Sequence, residues 1–521
     1  GINLELVIKT MNDIHFDIKC LEKINKNPPM KYRKDWLKIF HDEYGKHNVR
    51  VVSKTEICIF NEETAMWNVG CKDLLELRLK EFFVLHITKT IYDIKKRDEI
   101  LNSLENRKYI IDMVAEYIID PSNNHSEFKN ELNRKPHLLP FDVKNDDDEK
   151  YTINHELPLG RYVIDFNTGK TRKRTYDDNF SYAINRIYNK NLKDFSKTES
   201  FLQSFFIYKN RDEDGDVEGD DMLDSATYIQ FKKALGYSLT GYTNEKCIFI
   251  LKGPSNSGKS FFLRSISEIF GNKFHTPISK KIIVKTQYQS NIQDEFENLI
   301  STFRFGCLSE LSKTEEVHDV NIKNITGGDC NAYRPFGKEL KSIPPILTKL
   351  WYATNSLPKF DVNDSALTER FVIFPFENMF NGDGKDVNDF LKNYKNEYFT
   401  YCCNLAIEYS QARNDSRQII QSHRMNILHN GEVQEKNPVM IFMSKIFSGE
   451  NLTKDDWIDT SVIYECYEKY MATYRKEPLC ERSFSMSLSK LKIFEKRKNR
   501  KTEKSQYHLR KIISENINRD N

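Results

Sequence analysis

Apolar residues recurring at three- and four-residue intervals predict helices along the first quarter of the chain, as in DLLELRLKEFFVLHI (73–87) and YIIDMVAEYIID (109–120). Residues 1–135 therefore read as a helical region. At 136–180 Pro and Gly break that period, and RYVIDFNTGK reads as a strand running into a turn, so a small β-containing module is expected there. A helix, MLDSATYIQFKKALG, leads through 222–240 as a collar to the next core. From 246 the pattern becomes α/β: short buried apolar runs KCIFILK, FRFGCL (303–308) and LWYAT (350–354) each end in small or polar residues. A helical connector over 381–440 and a basic segment with its own helices, 441–521, follow.

A length of 521 residues predicts several cores, roughly three to four domains. With 39% hydrophobic and 30% charged residues, no apolar run nears the roughly 18 residues of a membrane helix, and no membrane partner is expected. The net charge of +3 is too balanced to imply nucleic acid by itself, so that evidence must be local. Ten scattered cysteines without a C-x2-C pair argue against zinc and disulfide frameworks and for reduced thiols. The opening GINLELVIKT is not a signal peptide, and the chain is expected to be cut from something longer. The acidic run Asp212–Asp221 lacks a calcium loop's bidentate Glu, since position 12 counted from Asp214 is Ser225; it reads as a surface loop.

The chemistry concentrates in one stretch. Gly253-Pro254-Ser255-Asn256-Ser257-Gly258-Lys259-Ser260 lies between a buried strand and the helix FFLRSISEIF. Small residues there let backbone N–H groups and a helix N-terminus face a polyphosphate, while Lys259 would reach the β/γ phosphates and the Ser260 hydroxyl would ligate Mg2+. ATP and Mg2+ are thus the implied cofactors. The second strand ends in Ser309-Glu310, where an Asp-Glu pair is common, so Glu310 alone would polarise the attacking water or hold the metal. Asn355 ends the third strand, where an amide can sense an intact triphosphate; Arg370 precedes FVIFPF and suits transition-state charge, or else a surface ion pair.

Together these elements resemble superfamily 3 helicases, the AAA+ group of viral replicative helicases, within the 118 residues from Gly253 to Arg370. GRYVIDFNTGK, ALGYSLTG, GPSNSGKS, NITGGD and ATNSLPKF narrow the resemblance to large-DNA-virus primase-helicases, most nearly the poxvirus type. It covers 160–380 firmly and the C-terminal segment loosely. What the resemblance implies is an AAA+ P-loop NTPase core forming a hexameric ring, with Arg370 acting in trans and Lys323 near the γ-phosphate, or as a plain surface lysine. It implies also a hairpin, Ala332–Lys341, entering the central pore, where Arg334, Phe336 and Lys338 would grip single-stranded DNA; the dull alternative is a surface loop.

At the end of the chain, Lys490–Lys511 carries ten Lys/Arg against two acidic residues, a local excess of +8. Helix, turn, helix and basic strands resemble a winged helix, with Arg482 and Lys490 by its second helix and Lys496, Arg497, Lys498, Arg500 and Lys501 on its wing. The expectation is a replicative DNA helicase acting on single-stranded and forked DNA in the host cytoplasm beside viral polymerase processivity factors. A priming centre is not legible, so any priming domain is expected upstream of Gly1. The rivals are a P-loop nucleotide kinase and a DNA-binding ring scaffold gated by nucleotide without turnover.

Overall fold

In the computed structural model the described residues are 33–70, 72–90, 94–95, 98, 107–144, 157–209, 220–285, 303–308, 310–311, 313–328, 331–333, 341–380, 385–414, 416–446, 457–474, 477–491, 494–498 and 505–512. Contacts divide the chain into two units, one of residues 1–145, 157–165 and 169–187, the other of residues 146–156, 166–168 and 188–521.

The first unit adds a small sheet to the mostly helical start that the sequence pattern predicts. Between α1 (Arg33–Phe40) and α2 (Lys72–Thr90) the chain forms three antiparallel strands, β1 (Val49–Val51), β2 (Ile57–Asn61) and β3 (Met66–Gly70). VRV and ICIFN are β-branched and aromatic runs too short to show a period beside long helical neighbours. Ile57 and Ile59 pack with Phe40, Leu75, Leu79 and Phe83, and with Met113 and Tyr117 of α3 (Arg107–Ile119). A second antiparallel sheet joins β4 (Leu138–Val143), β5 (Gly160–Asp165) and β6 (Lys170–Lys173); RYVIDFNTGK is the β5 strand and turn that the sequence pattern predicts.

The second unit begins with α4 (Ser196–Gln203), the two-residue strands β7 (Ile207–Tyr208) and β8 (Met222–Leu223), and α5 (Ser225–Leu239). Then follow β9 (Ile248–Lys252), α6 (Lys259–Phe270), β10 (His275–Ile278), α7 (Lys280–Ile283), β11 (Phe305–Leu308) and α8 (Asp319–Gly327). A hairpin of β12 (Asn331–Tyr333) and β13 (Lys341–Ile343) precedes β14 (Lys349–Thr354), α9 (Ser365–Thr368) and β15 (Phe371–Pro375). Helices α10 (Lys385–Asn393), α11 (Lys395–Ala412) and α12 (His423–Glu435) close this part.

Five strands form one parallel sheet in the order β10-β11-β14-β9-β15. Alternation along each strand feeds two different cores. Ile248 and Ile250, Leu350 and Tyr352, Phe371 and Ile373 face the side covered by Ile322 and Ile325 of α8. Their neighbours Phe249, Trp351 and Phe374 face an aromatic layer with Phe231 of α5 and Phe262 of α6, the Phe249 and Trp351 rings lying 4.6 Å apart. Two buried cations at the N-terminal rim of the sheet serve the end of α5: Arg304 donates to the Leu239 carbonyl at 2.7 Å and Lys349 to that of Thr240. Helix C-terminal carbonyls lack intrahelical donors, so these cations are fixed by need. Burial holds the Lys349 ammonium well below the ordinary lysine range.

The chain ends in α13 (Pro438–Ile446), β16 (Trp457–Asp459), α14 (Thr460–Thr473), α15 (Glu481–Leu491), β17 (Phe494–Lys498) and β18 (Ser505–Ile512). The strands pair antiparallel in the order β16-β18-β17 over Phe442, Tyr467, Phe484, Leu488 and Tyr507. Among the described residues no helix is long and apolar enough to cross a membrane.

Candidate functional site

The C-terminal ends of parallel strands are where α/β sheets hold ligands, most of all where the connections reverse direction. Here that point is β9, with β14 on one side and β15 on the other. The segment Gly253–Ser260 leaves β9 at this rim and enters α6. Two backbone demands explain its glycines. Gly258 has φ +86°, and a Cβ on Gly253 would stand 1.8 Å from the Phe376 carbonyl oxygen. Phe205, Phe376 and Phe380 form a wall behind the loop, and the Phe380 N–H donates to the Asn256 carbonyl at 3.0 Å. Sequence reading missed that wall, since Phe205 lies far along the chain from Phe376 and Phe380 and nothing local links them.

Inside the loop, Lys259 is folded onto its own backbone. Its Nζ donates to the Gly253 carbonyl at 2.7 Å, to that of Pro254 at 2.6 Å and to the Ser257 hydroxyl at 3.1 Å. Burial pushes its ammonium below the ordinary lysine range, and the Glu310 carboxylate draws it partly back. Glu310, exposed just past β11, therefore acts electrostatically on the loop lysine. The Tyr352 hydroxyl accepts from the Leu311 N–H at 3.2 Å and so ties Glu310's segment to β14. Asn355, at the end of β14, donates from Nδ2 to the Ser255 hydroxyl at 3.4 Å. Pro254, Ser255, Asn256 and Ser260 are exposed. Lys259, Glu310 and Asn355 thus meet at one rim of the sheet, and the exposed hydroxyls beside a buried cation suit an anionic ligand with a hard metal ion. Ser309 lies outside the described residues. Among those described, no group of three or more His, Cys, Asp or Glu could hold a metal by itself, so a cation here would depend on Ser260, Glu310 and ligand oxygens.

Arg370 is at the other rim. Its carbonyl accepts from the Ile248 N–H, at the start of β9, and five residues of β15 separate it from the loop end of the sheet. At ~3.3 Å per residue that is about 16 Å of strand. Its Nε donates to the Thr326 hydroxyl at 3.0 Å, and Nη1 donates to the Ala366 carbonyl. Lys323, one turn before Thr326 on α8, pairs with Asp364 and, at 3.8 Å, with Asp319. Burial pushes the Asp364 carboxyl up, but bonds from Lys323 and the Leu367 N–H hold it below the usual carboxylate range. The structure thus groups Lys323 with Arg370 on one stripe of α8 and α9. The Asp364 partner was legible in principle, since NDSALT is an N-cap signature and Asp364 caps α9.

Of the expected strand-gripping residues, Arg334, Phe336 and Lys338 lie outside the described residues; β12 and β13 pair on either side of them, with Tyr333 opposite Lys341. Arg482 and Lys490 are exposed on α15 with Met486 between them, an i, i+4, i+8 stripe on one helix face. Lys496, Arg497 and Lys498 are exposed on β17. Lys496 donates to the Ser489 hydroxyl of α15 at 3.1 Å, and the Arg497 guanidinium lies 4.1 Å from the Trp457 ring centroid. Arg500, Lys501 and most of the acidic run (210–219) lie outside the described residues.

Residues 434–519 match the family described as Poxvirus D5 protein-like. The protein named "Putative helicase 121R" of Invertebrate iridescent virus 3 is 25% identical over 221 residues, 42% of this chain and 22% of that protein. "Putative helicase 184R" of Invertebrate iridescent virus 6 is 27% identical over 153 residues, 28% of this chain and 16% of that protein. The match thus spans about a fifth of the length of these curated relatives. Among solved structures, the apo C-terminal region of NrS-1 covers 91% of this chain and 98% of its own at 10% identity and a TM-score of 0.42, a likeness too distant to argue from. The resemblance to the helicase portion of poxvirus-type primase-helicases, read from motifs between 160 and 380, is met by the family match at the C-terminal end and by the iridescent-virus relatives.

Proposed function

We propose that this chain is the ATP-driven helicase portion of a viral primase-helicase: an AAA+ P-loop core with a C-terminal winged helix, assembled as a homo-hexameric ring that moves along single-stranded DNA at a fork. The observation that carries the reading is the separation of its parts. Lys259, Glu310 and Asn355 share one rim of the sheet, while Arg370 is held at the opposite rim by Thr326 and Ala366. An arginine separated from its own loop by the length of a strand supports a role at the loop of a neighbouring copy. A nucleotide kinase, which closes around both substrates within one chain, gains nothing from that layout.

In this reading the loop N–H groups and Lys259 bind the β- and γ-phosphates of ATP, exchanging the lysine's bonds to Gly253 and Pro254 for bonds to phosphate oxygens. Ser260 and Glu310 would hold Mg2+, which supplies positive charge on those oxygens. Glu310 also draws the proton of the attacking water, Asn355 orients that water against the γ-phosphate, and the neighbour's Arg370 stabilises the charge that develops in transfer. The β12–β13 hairpin lies in the chain between α8, which bears the Arg370 stripe, and β14, which ends in Asn355, so it is poised to move with the seam between subunits. The element order α13-β16-α14-α15-β17-β18 supports a winged helix whose α15 and β17 add a second DNA surface. The proposed place of action is the host cytoplasm, beside viral polymerase processivity factors.

The test is ATP hydrolysis and unwinding of a forked oligonucleotide by the wild type and Lys259→Ala. The substitution is expected to abolish both, and the wild-type hydrolysis is expected to rise with added single strand. Hydrolysis unchanged in Lys259→Ala, or indifferent to DNA in the wild type, would remove the reading.

A further inference from the structure

Three consecutive attachments gather in the last turn of α12 and the residues just beyond it. Glu432, 4% exposed, pairs with Lys252, the final residue of β9 and the neighbour of Gly253 in the phosphate loop. Four residues later Lys436 donates to the Leu357 carbonyl at 2.7 Å, two residues past Asn355. The next residue, Asn437, is buried and exchanges hydrogen bonds with Ser487 of α15, at 3.0 Å from its Nδ2 and at 3.1 Å to its Oδ1. The same Oδ1 accepts from the Val439 N–H at 2.9 Å and so caps α13. Ser487 lies on the buried face of α15, whose other face presents Arg482, Met486 and Lys490.

Each attachment resists slack. Glu432 is a carboxylate shut from solvent whose Oε2 has no partner among the described residues, so a displacement of Lys252 must be followed or must leave a buried charge unpaired. The Asn437–Ser487 pair is reciprocal and buried, so α15 cannot turn without either breaking it or moving the end of α12. Close-packed elements held at both ends shift between discrete arrangements instead of deforming smoothly.

We infer that residues 432–437 couple the phosphate loop to the basic helix, so that nucleotide occupancy sets the affinity of α15 for DNA. This rests on the reading of the loop as an ATP site and of α15 as a DNA surface, and it adds the route between them. Linkage makes the effect reciprocal: DNA on α15 alters nucleotide affinity by the same factor.

The experiment uses the full chain, a fluorescent forked oligonucleotide, and Mg2+ with the non-hydrolysable analogue AMP-PNP. In the wild type, saturating analogue is expected to change the DNA Kd by about fivefold or more, the lower end of ordinary coupling. Lys436→Met, which keeps the side-chain stem, and Asn437→Ala are each expected to lower that ratio by about twofold or more, to the share carried by the pore hairpin, while nucleotide-free DNA affinity and DNA-free hydrolysis stay near the wild-type values. Variants that keep the wild-type ratio, or a wild type that binds both ligands without any ratio, would overturn the inference and leave the helicase reading standing. A wild type that binds no DNA or hydrolyses no ATP would remove both together.

Discussion

Replacing Gly258 and Gly271 by alanine separates two costs that the structure distinguishes. Both have positive φ: Gly258, at φ +86° and ψ −1°, lies in the left-handed region, where an L-residue costs roughly 1–2 kcal/mol, and Gly271, at φ +77° and ψ 173°, lies in a region nearly confined to glycine, where it costs roughly 1–3 kcal/mol. Around Gly271 an added Cβ meets nothing within 4 Å, so that is its whole cost. At Gly258 the Cβ would lie 2.6 Å from Cε1 of Phe205, a ring that is 1% exposed and stacked on Phe376 at 5.2 Å, with no room to retreat. Overpacking of that kind adds about 1–3 kcal/mol, so Gly258→Ala should lose about 2–5 kcal/mol in all. Urea unfolding followed by tryptophan fluorescence reads the difference, since Trp351 is buried in the same core. A second readout is the rise in melting temperature on adding Mg-ATP, worth about 2.7 kcal/mol at 100 times Kd, which Gly271→Ala should keep and Gly258→Ala should lose. Equal unfolding midpoints and equal ATP-induced shifts for the two variants would refute this account of the loop.

Two further expectations are narrower. Burial holds His275 below the ordinary histidine range. A base kept neutral in the fold but protonated near pH 6.5 when unfolded makes the unfolded state bind more protons. Stability should therefore rise with pH between the folded pKa and about 6.5 and then level off. His275→Gln should flatten that part of the urea-midpoint profile, and an unchanged slope would reject the assignment. Lys490→Ala should weaken forked-DNA binding and lower the slope of log K against log salt by about one, the mark of one lost phosphate contact. An unaltered slope would take Lys490 off the DNA surface.

The loop and its strand were legible because their pattern is local: IFILK is a buried apolar run, and the small and polar residues of GPSNSGKS break it before the helix begins. The strand ends at Glu310 and Asn355 were legible for the same reason, each an apolar run closed by a polar residue. What escaped was set by distance in the chain. FRFGCL reads as one strand from Phe303, yet β11 starts at Phe305 because Arg304 turns to the end of α5. LWYAT misses Lys349, a lysine wholly buried within a strand, which no polarity pattern would predict. Trp457–Asp459 pairs with β18, a partner some fifty residues away, so WIDTSVIYE reads as plain helix. The three strands at 49–70 were masked by the strong helical texture on either side. Glu432 and Asn437 look like ordinary polar residues of a helix end until the fold brings Lys252 and Ser487 to them.

The central claim is that hydrolysis requires Arg370 of one subunit at the loop of the next. It is tested most directly by mixing Lys259→Ala with Arg370→Ala in graded proportions at constant total protein and measuring DNA-stimulated ATP hydrolysis. Each variant alone lacks one half of every seam, but neighbouring subunits of the two kinds restore a seam with an intact loop and an intact arginine, so activity should appear in the mixtures and peak near equal proportions. Mixtures as inactive as either variant alone, with subunits shown to exchange, would contradict the account.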